Sequence, residues 1–454
     1  MTTSAEHDVR DGTPMISAPP RRLPVHALKI AVSTGMGTGR GRFRDPLVAC
    51  PEVQMSRRIV FSSLAALALT ATALTTTAQA QDGNADCRNL DDPSVTGWTD
   101  HEQLTQQLAL IEAGSAGRVQ VDVIGESHRG REIYAARVGT GDRVLLITSE
   151  IHGNEKTGTE ALLAMLRTLG SSDSPEAQAL REGVTIVAVP KFNPDGAELN
   201  RRQNDFPWDE VTEVFPQFQG FDPPYYYSNS ARGFDLNRDF NADLDYEPQP
   251  ADIPTDETLP GLYLTNESRA LRDLYVDLRA EFGEVDGYVD LHHMGPCSQQ
   301  NDTGQYVTVA LDFPPLGSEA LGNPRYADWP LLDQDKSRRY ALAAALGLQE
   351  RAGQGNAETS PFFGGVSRYT HQQIADGYSF DRDFAGQARS AFGLNGTGTV
   401  LFEVRGQSDD WGQKQLGQLV QVVLAGVFGI AERMADGSID TLNGDDFYDL
   451  PKYW

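Results

Sequence analysis

The sequence is poor in cysteine and in basic residues, and each shortage excludes a class of protein. Three cysteines in 454 residues cannot build a disulfide-rich scaffold, and no CxxC pair is present for a thiolate zinc site. Lysine and arginine number 38 against 64 aspartate and glutamate residues, which gives a net charge of −26. We therefore expect no binding of nucleic acid or anionic lipid, because both are bound through clustered basic side chains. With 39% hydrophobic and 9% aromatic residues, the chain is nevertheless globular.

The N-terminal 80 residues lack the patterns of a folded domain. Residues 1–54 are rich in Arg, Pro and Gly and show no apolar periodicity. Arg57 and Arg58 then precede a 16-residue apolar run, 59–74, which is followed by Ala-Gln-Ala at 78–80. This order is typical of a secretory signal peptide, and the run is shorter than the ~20 residues of a membrane-spanning helix. We expect translation to begin at Met55, after a mis-called extension at 1–54. The signal peptide would occupy 55–80 and precede a single exported domain, 81–454, in the periplasm or outside the cell.

Strand and helix patterns alternate along the rest of the chain. Apolar runs of strand length indicate buried strands, and apolar residues at helical spacing indicate helices between them. This alternation, with no internal repeat and no second domain boundary, favours an α/β sheet covered by helices on both faces. The predicted strands are 119–125, 132–138, 144–149, 184–190, 287–291 and 399–404, and the predicted helices are 157–169, 338–352 and 414–434.

A histidine and a carboxylate occur together directly after one predicted strand. His152 and Glu155 follow the strand at 144–149 and are three residues apart. Imidazole and carboxylate are common zinc ligands, and a catalytic zinc site needs three protein ligands and one open position. An HxxE pair alone is a weak signal, because most such pairs are exposed polar residues.

The third ligand is expected in Asp290-Leu291-His292-His293, which closes another predicted strand. Successive strand residues face opposite sides of a sheet, so only one of the two histidines can join the cluster. We favour His292, which shares a face with Asp290, and Asp290 could orient its imidazole. The alternative is that both histidines are polar residues of a turn.

Glu403 lies near the end of the last predicted strand, inside an apolar run. A carboxylate in such a run needs a partner or a chemical role, because burial without either is unfavourable. Near a metal-activated water it would serve as general base. The alternative is a surface ion pair with Arg405, which lies on the same strand face.

Arginines accompany these motifs in a chain that is otherwise strongly acidic. Arg201 and Arg202 follow the turn Asn193-Pro194-Asp195-Gly196, and Arg238 lies in the segment 233–240. Guanidinium groups pair with carboxylates through two hydrogen bonds and can stabilise an oxyanion. The arginines are therefore candidates for contact with a substrate.

These motifs together resemble the zinc metallocarboxypeptidase family of the carboxypeptidase A type, in the form of a secreted, bacterial-like member. The similarity runs from IGESHRGREIYAARVG at 124–139, through EIHGNEKTG, NPDGAELNRRQN, GFDLNRDF and DLHH, to LFEVRG at 401–406. The motifs follow the family's order. The resemblance implies a mixed, mostly parallel eight-stranded sheet with helices on both faces.

The resemblance also implies a zinc-dependent hydrolase. One zinc ion per chain would be bound by His152, Glu155 and His292. A zinc-activated water would attack the substrate, with Glu403 as its general base.

The remaining family positions imply a peptide substrate with a free C-terminal carboxylate. Arg202 fits the arginine that polarises the scissile carbonyl, and Asn237 and Arg238 fit the pair that binds the carboxylate. The chain would then be a metallocarboxypeptidase, monomeric and without a membrane partner after signal cleavage.

Some positions depart from the family pattern. The tyrosine that caps the substrate carboxylate is either Tyr369 or Tyr378, and the residue that sets side-chain preference cannot be aligned within 381–397. Cys87 and Cys297 can form a disulfide or remain free thiols. Two stretches rich in Pro, Asp, Tyr and Phe are predicted to be loops around the substrate entrance. They are residues 203–232 and 241–263.

Two other functions remain open. A zinc amidohydrolase of the aspartoacylase and desuccinylase kind, acting on N-acyl amino acids, also carries HGNE- and DLNR-like motifs. The NPDG turn and the IGESHRGREI hairpin argue against it. A binding module with a decayed site is disfavoured because every ligand and catalytic position is filled.

Overall fold

The computed structural model describes most of the chain from residue 97 onwards. The proposed extension and signal peptide, Cys87, Cys297 and Tyr378 lie outside the described residues, so predictions about them stay predictions. The described residues are 97–295, 307–314, 329–352, 365–369, 384–406 and 412–452, with Ser298, Gln300, Leu316 and Tyr326.

Eight strands form a mixed, mostly parallel sheet in this part of the chain, as the sequence predicts. Their order across the sheet is β1-β2-β4-β3-β7-β10-β8-β9, and β5 pairs with β6 in a separate hairpin. The strands are β1 (Val119–Glu126), β2 (Glu132–Val138), β3 (Arg143–Ser149), β4 (Val184–Val189), β5 (Tyr227–Ser228), β6 (Gly233–Phe234), β7 (Gly287–Met294), β8 (Val309–Asp312), β9 (Val366–Arg368) and β10 (Gly398–Arg405).

Helices cover both faces of the sheet. One face packs against α1, α2, α3, α7 and α9, and the other packs against α6 and α8. The helices are α1 (His101–Gly114), α2 (Thr157–Ser171), α3 (Pro175–Gly183), α4 (Pro194–Glu198), α5 (Trp208–Val214), α6 (Asn266–Phe282), α7 (Gln334–Ala352), α8 (Ala388–Leu394) and α9 (Gly412–Ala435).

The central strands β4, β3, β7 and β10 run parallel to one another. They are buried on both faces, which explains their continuous apolar sequences. On β10, Phe402 packs into the core beside α9, so Leu401 and Glu403 face the side covered by α8. On β7, Leu291 packs into the same core as Phe402, so Asp290 and His292 share the face of Glu403.

Helix α9 is long and apolar enough to cross a membrane by length and composition alone. Within its segment Leu416–Ala435, 61% of the most apolar window is buried in the protein. Leu419, Val422 and Val423 pack into the main core against the sheet. Its apolar character is therefore explained by burial as a core helix.

The predicted strands and helices are all present, with ends shifted by a few residues. β7 extends to Met294, so His292 and His293 lie inside the strand instead of in a turn beyond it. The two aromatic stretches also contain short elements: α5 and β5 lie within 203–232, and a single 3-10 turn at Pro250–Asp252 lies within 241–263. These two stretches pack their aromatic rings into a small separate core.

Candidate functional site

A tight turn after β3 positions the first two predicted ligands. Glu150 follows β3 with a positive φ of 55°, which is uncommon for a residue other than glycine. Its buried carboxylate holds the turn through an ion pair with Lys191 Nζ at 2.6 Å. Beyond it, Glu155 N donates to the carbonyl oxygen of His152 at 3.0 Å. His152 and Glu155 are thereby brought to the edge of the sheet, just before α2.

His292 meets this turn from the neighbouring strand β7. Its Nδ1 lies 2.9 Å from Glu155 Oε2 and 3.1 Å from His152 Nδ1. His152 Nδ1 lies 2.8 Å from Glu155 Oε1. One nitrogen or oxygen from each of these three side chains lies within 4.8 Å of the others. We call these three residues the ligand cluster.

Carboxylates hold the outer nitrogens of both imidazoles. His292 Nε2 lies 2.8 Å from Asp290 Oδ2, and His152 Nε2 lies 3.2 Å from Asp235 Oδ1. Such contacts fix the ring orientation and make the inner nitrogen a better metal ligand. The sequence interpretation proposed Asp290 for this role but missed Asp235. Its position in GFDLNRDF, two residues before Asn237, was the available signal.

His293 points away from the ligand cluster. Its Nε2 accepts a hydrogen bond from Thr157 N, at the start of α2, at 2.8 Å. Burial lowers the pKa of His293 to about 4, which keeps the ring neutral and able to accept this bond. His293 therefore fixes α2 to β7, while His292 faces the cluster.

Glu403 lies beside His292, because the two residues are paired between β10 and β7. The residue is partly exposed to the cleft, but its Oε2 is buried and has no hydrogen-bond partner among the described residues. Burial raises the pKa of Glu403 to about 7, and the charge of Glu155 acts in the same direction. The surface pair with Arg405 is not what the structure shows, since Arg405 is itself buried.

Arg202 reaches the cluster from the loop after α4. Its guanidinium pairs with Asp235 Oδ2 at 2.8 Å and lies 3.8 Å from Glu155 Oε1. Nη1 lies 3.1 Å from His152 Nδ1. With 39% of its side chain exposed, Arg202 is held at one end and open to the cleft at the other.

Asn237 and Arg238 lie on a short turn that faces α8. Asn237 is buried, and its amide is used within the protein: Nδ2 donates to Asp290 Oδ2 at 3.1 Å, and Oδ1 accepts from Ala388 N at 3.2 Å. The Arg238 guanidinium lies over the Phe384 ring, 5.0 Å from its centroid. Of these two residues, Arg238 is the one that offers positive charge to a substrate.

The predicted residues line one cleft of about 270 Å³. Tyr369, one of the two predicted capping tyrosines, also lines it. Gln387 and Arg389 lie in the cleft as well and were missed by the sequence interpretation, because they fall in the stretch 381–397 that could not be aligned. The predicted residues in the cleft are His152, Glu155, Arg202, Asn237, Arg238, His292 and Glu403.

A larger cavity, of about 540 Å³, lies elsewhere on the molecule, between β1, β2 and α3. Two of its three arginines are used in surface ion pairs, Arg118 with Asp173 and Arg137 with Glu281. It contains no cluster of metal-ligand type among the described residues. The smaller cleft is therefore the candidate active site.

Comparison with known proteins finds one matching family model and several similar structures. A family model described as zinc carboxypeptidase matches residues 104–422, more than half of the chain. The structure of bovine thrombin-activatable fibrinolysis inhibitor, in complex with tick carboxypeptidase inhibitor, is 14% identical over 75% of this chain and 98% of that chain, with a TM-score of 0.49.

Two other solved structures have similar values. A metallo-carboxypeptidase from Burkholderia cenocepacia is 17% identical over 72% of this chain and 68% of its own, with a TM-score of 0.44. Carboxypeptidase A from Helicoverpa armigera is 15% identical over 74% of both chains, with a TM-score of 0.46.

Proposed function

The chain belongs to the zinc carboxypeptidase family and is a metallocarboxypeptidase, and on that premise we propose how its cleft works. His152, Glu155 and His292 bind one zinc ion, and Glu403 acts as general base. Arg202 and Arg238 bind the substrate. The convergence of these residues from five separate segments on one cleft is the observation that carries the proposal.

The donor set of the ligand cluster fits zinc. Two imidazole nitrogens and one carboxylate are typical protein ligands of a catalytic zinc ion, and they leave one position open. The two Nδ1 atoms lie only 3.1 Å apart beside a carboxylate, so they need a cation or a proton between them. Asp235 and Asp290 would hold the imidazoles in the binding orientation. When bound, zinc supplies Lewis-acid chemistry, which polarises a carbonyl and makes water a stronger nucleophile.

Glu403 would accept a proton from the attacking water. A general base works best when its pKa lies near the working pH, and burial places the pKa of Glu403 at about 7. A cation at the ligand cluster would favour the ionised form, which is the form that accepts a proton from water. Because its buried Oε2 has no protein partner among the described residues, this oxygen is available for that bond. The proton would then pass to the leaving amine.

Arg238 would select a free C-terminus. The protein is strongly acidic and repels a carboxylate unless a local cation opposes that charge. Arg238 supplies this cation in the same cleft that the ligand cluster lines. Arg202 lies beside His152 and Glu155, where it would stabilise negative charge on the scissile carbonyl oxygen.

The test compares an N-blocked dipeptide with its C-terminal amide. Loss of one partner from a buried guanidinium–carboxylate pair costs about 3–5 kcal/mol, so amidation should lower kcat/KM by roughly two to three powers of ten or more. Arg238→Ala should cause a similar loss with the acid. Combining the two changes should add little, because both remove one interaction.

The matched control is Arg232→Ala, which removes an exposed arginine that pairs with Asp209 outside the cleft. This variant should behave like the wild type with both peptides. If the wild-type enzyme cleaves the amide as fast as the acid, the exopeptidase proposal is wrong. An endopeptidase, or an amidohydrolase that acts on N-acyl amino acids, would take its place.

A further inference from the structure

One arginine at the floor of the cleft has no role in the proposed reaction. Arg389 lies on α8 and lines the cleft, with only 1% of its side chain exposed. Contacts between backbone groups fix α8 next to the proposed carboxylate anchor. Gly386 lies so close to Arg238 that a Cβ atom would come within 2.3 Å of the Arg238 carbonyl oxygen. The position of Arg389 relative to Arg238 is therefore set by the fold.

Strand register shows that Arg389 lies deeper than the proposed general base. Leu401 and Glu403 are two residues apart on the same face of β10, which corresponds to about 7 Å along the strand. Leu401 is paired with Asp312 of β8. Arg389 Nη1 lies 3.5 Å from Asp312 Oδ2. Its guanidinium therefore lies at the level of Leu401, deeper in the cleft than Glu403. The cleft thus runs from the ligand cluster down to Arg389.

The protein balances the positive charge of Arg389 only in part: Asp312 is the carboxyl group in contact with it, and Asp290 and Glu403 are near enough to interact with its charge. Its Nε donates to Gln387 Oε1 at 2.9 Å, and its Nη1 donates to the carbonyl oxygen of Phe313 at 3.0 Å. Asp312 is its carboxylate neighbour, at a distance longer than the usual ~2.7–2.9 Å of a charge-assisted hydrogen bond. None of the described residues accepts a hydrogen bond from Nη2.

The protonation of Asp312 also limits how far this carboxyl group balances the charge of Arg389. Burial raises the pKa of Asp312 to about 7, although the charge of Arg389 acts in the opposite sense. Near neutral pH, a part of the molecules therefore has a protonated Asp312 that cannot balance the guanidinium. A buried cation in this condition is unfavourable unless another anion reaches it.

We infer that Arg389 binds the side-chain carboxylate of a C-terminal glutamate or aspartate, and that the enzyme prefers peptides ending in an acidic residue. This inference rests on the proposed carboxypeptidase function. If Arg238 holds the backbone carboxylate and the ligand cluster holds the scissile carbonyl, the side chain of the leaving residue faces the remaining wall. Gln387, Arg389 and Leu401 form the part of that wall next to α8, and Met294 and Tyr369 line the cleft as well. A lysine side chain would be repelled there, and a leucine would leave the guanidinium without an anion.

The experiment measures kcat/KM for four N-blocked dipeptides that differ only in their last residue, namely Glu, Gln, Leu or Lys. Glu and Gln have nearly the same shape, so their ratio isolates the charge. The wild type should favour Glu over Gln by about 10²-fold or more, the usual loss when one partner of a buried charge pair is removed. In Arg389→Gln this ratio should fall to below about 10-fold, and Arg389→Lys should keep part of it.

The matched control is Arg181→Gln, which removes a partly buried arginine bound to the carbonyl oxygens of Leu169 and Ser172, away from the cleft. Its Glu-to-Gln ratio should equal that of the wild type. A second measurement does not depend on the stability of Arg389→Gln. Free L-glutamate should inhibit the wild type at least about tenfold more strongly than free L-glutamine, because each would occupy the leaving-residue site.

The outcomes separate this inference from the proposed function. If Arg389 serves only to stabilise the fold, Arg389→Gln lowers the melting temperature and slows all four peptides equally, and the inference is wrong. Faster release of Leu or Lys than of Glu by the zinc-loaded wild type also overturns it, while the carboxypeptidase function stands. If none of the four peptides loses its last residue, the proposed function fails.

Discussion

At the scale of single residues, the proposed chemistry depends most on Glu403. Its carboxylate is beside His292 on the adjacent strand, partly exposed to the cleft, and raised in pKa by burial. The apolar sequence around it was enough to mark it as unusual, because a carboxylate is rarely placed in a buried strand without a role. The sequence could not show that Oε2 has no partner among the residues that the structure describes, because this depends on neighbours from other strands.

Glu403→Gln should separate metal binding from catalysis. Glutamine has nearly the same shape but cannot accept a proton, so zinc should remain bound while kcat falls by roughly 10²–10⁴. The measurement is zinc content by elemental analysis together with steady-state kinetics. Glu432→Gln, which changes a surface partner of Arg351, is the matched control. Turnover close to wild type in Glu403→Gln would exclude it as general base.

Arg389 shows what the sequence could not reveal at this scale. The stretch 381–397 carries no motif, so Arg389 was indistinguishable from a surface residue. Only the packing of α8 against Asn237 and Arg238 brings that side chain to the floor of the cleft. Asp235, in contrast, lies within a motif and could have been found from the sequence.

At the scale of secondary-structure elements, burial determines which strands and helices can be predicted from the sequence. β3, β4, β7 and β10 are apolar along their length because both faces of the sheet are covered, and all four were predicted. The last two strands at one side of the sheet, β8 and β9, were missed because they contain only 4 and 3 residues. Such short strands depend on pairing with a neighbour: β8 pairs with β10, and β9 pairs with β8.

Helix α6 was missed for a different reason. Charged residues are spread through its sequence, although Leu271, Tyr275 and Leu278 pack on the sheet. Its first turn contains Glu267, which is fully buried. Glu267 Oε2 accepts a long hydrogen bond, 3.3 Å, from Asn204 Nδ2, and Oε1 has no partner among the described residues. A buried polar residue of this kind interrupts the apolar periodicity from which a helix is predicted.

Glu267 should make stability depend on pH. Burial raises the pKa of Glu267 to about 8, from 4.5, and the charge of Asp195 acts in the same direction. The folded protein therefore holds a proton that the unfolded chain releases. Its stabilising contribution is complete below pH 4.5 and is lost as the pH rises through 8.

Glu267→Gln replaces the protonated carboxyl group by a neutral amide. It should therefore remove the loss of stability that the wild type shows as the pH rises. Relative to the wild type, the variant should gain on the order of 2–4 kcal/mol of unfolding free energy between pH 5 and pH 8. Urea unfolding at both pH values measures this, with Glu102→Gln, an exposed position in the first turn of α1, as the control. A wild-type-minus-variant difference that is the same at both pH values would contradict the raised pKa.

At the scale of the whole molecule, export remains a proposal from the sequence. Its basis is the basic start at Arg57 and Arg58, the apolar run 59–74 and Ala-Gln-Ala at 78–80. The expected mature chain begins at Gln81 and is found in the periplasm or the medium. N-terminal sequencing and intact-mass measurement of the secreted fraction test this. Protein that stays in the cell and still contains residues 55–80 would show that this segment is not a cleaved signal.

The central claim for the whole molecule is a zinc enzyme whose metal is bound by His152, Glu155 and His292 on one sheet edge. The most direct test is the metal content of purified mature protein, measured with activity, for the wild type, His292→Ala and His293→Ala. The wild type should hold about one zinc per chain, lose activity with a chelator, and regain it with zinc. His292→Ala should hold no zinc and be inactive, whereas His293→Ala should still bind it, because its ring faces Thr157. Full activity in a zinc-free preparation, or zinc lost from His293→Ala but kept in His292→Ala, would contradict the claim.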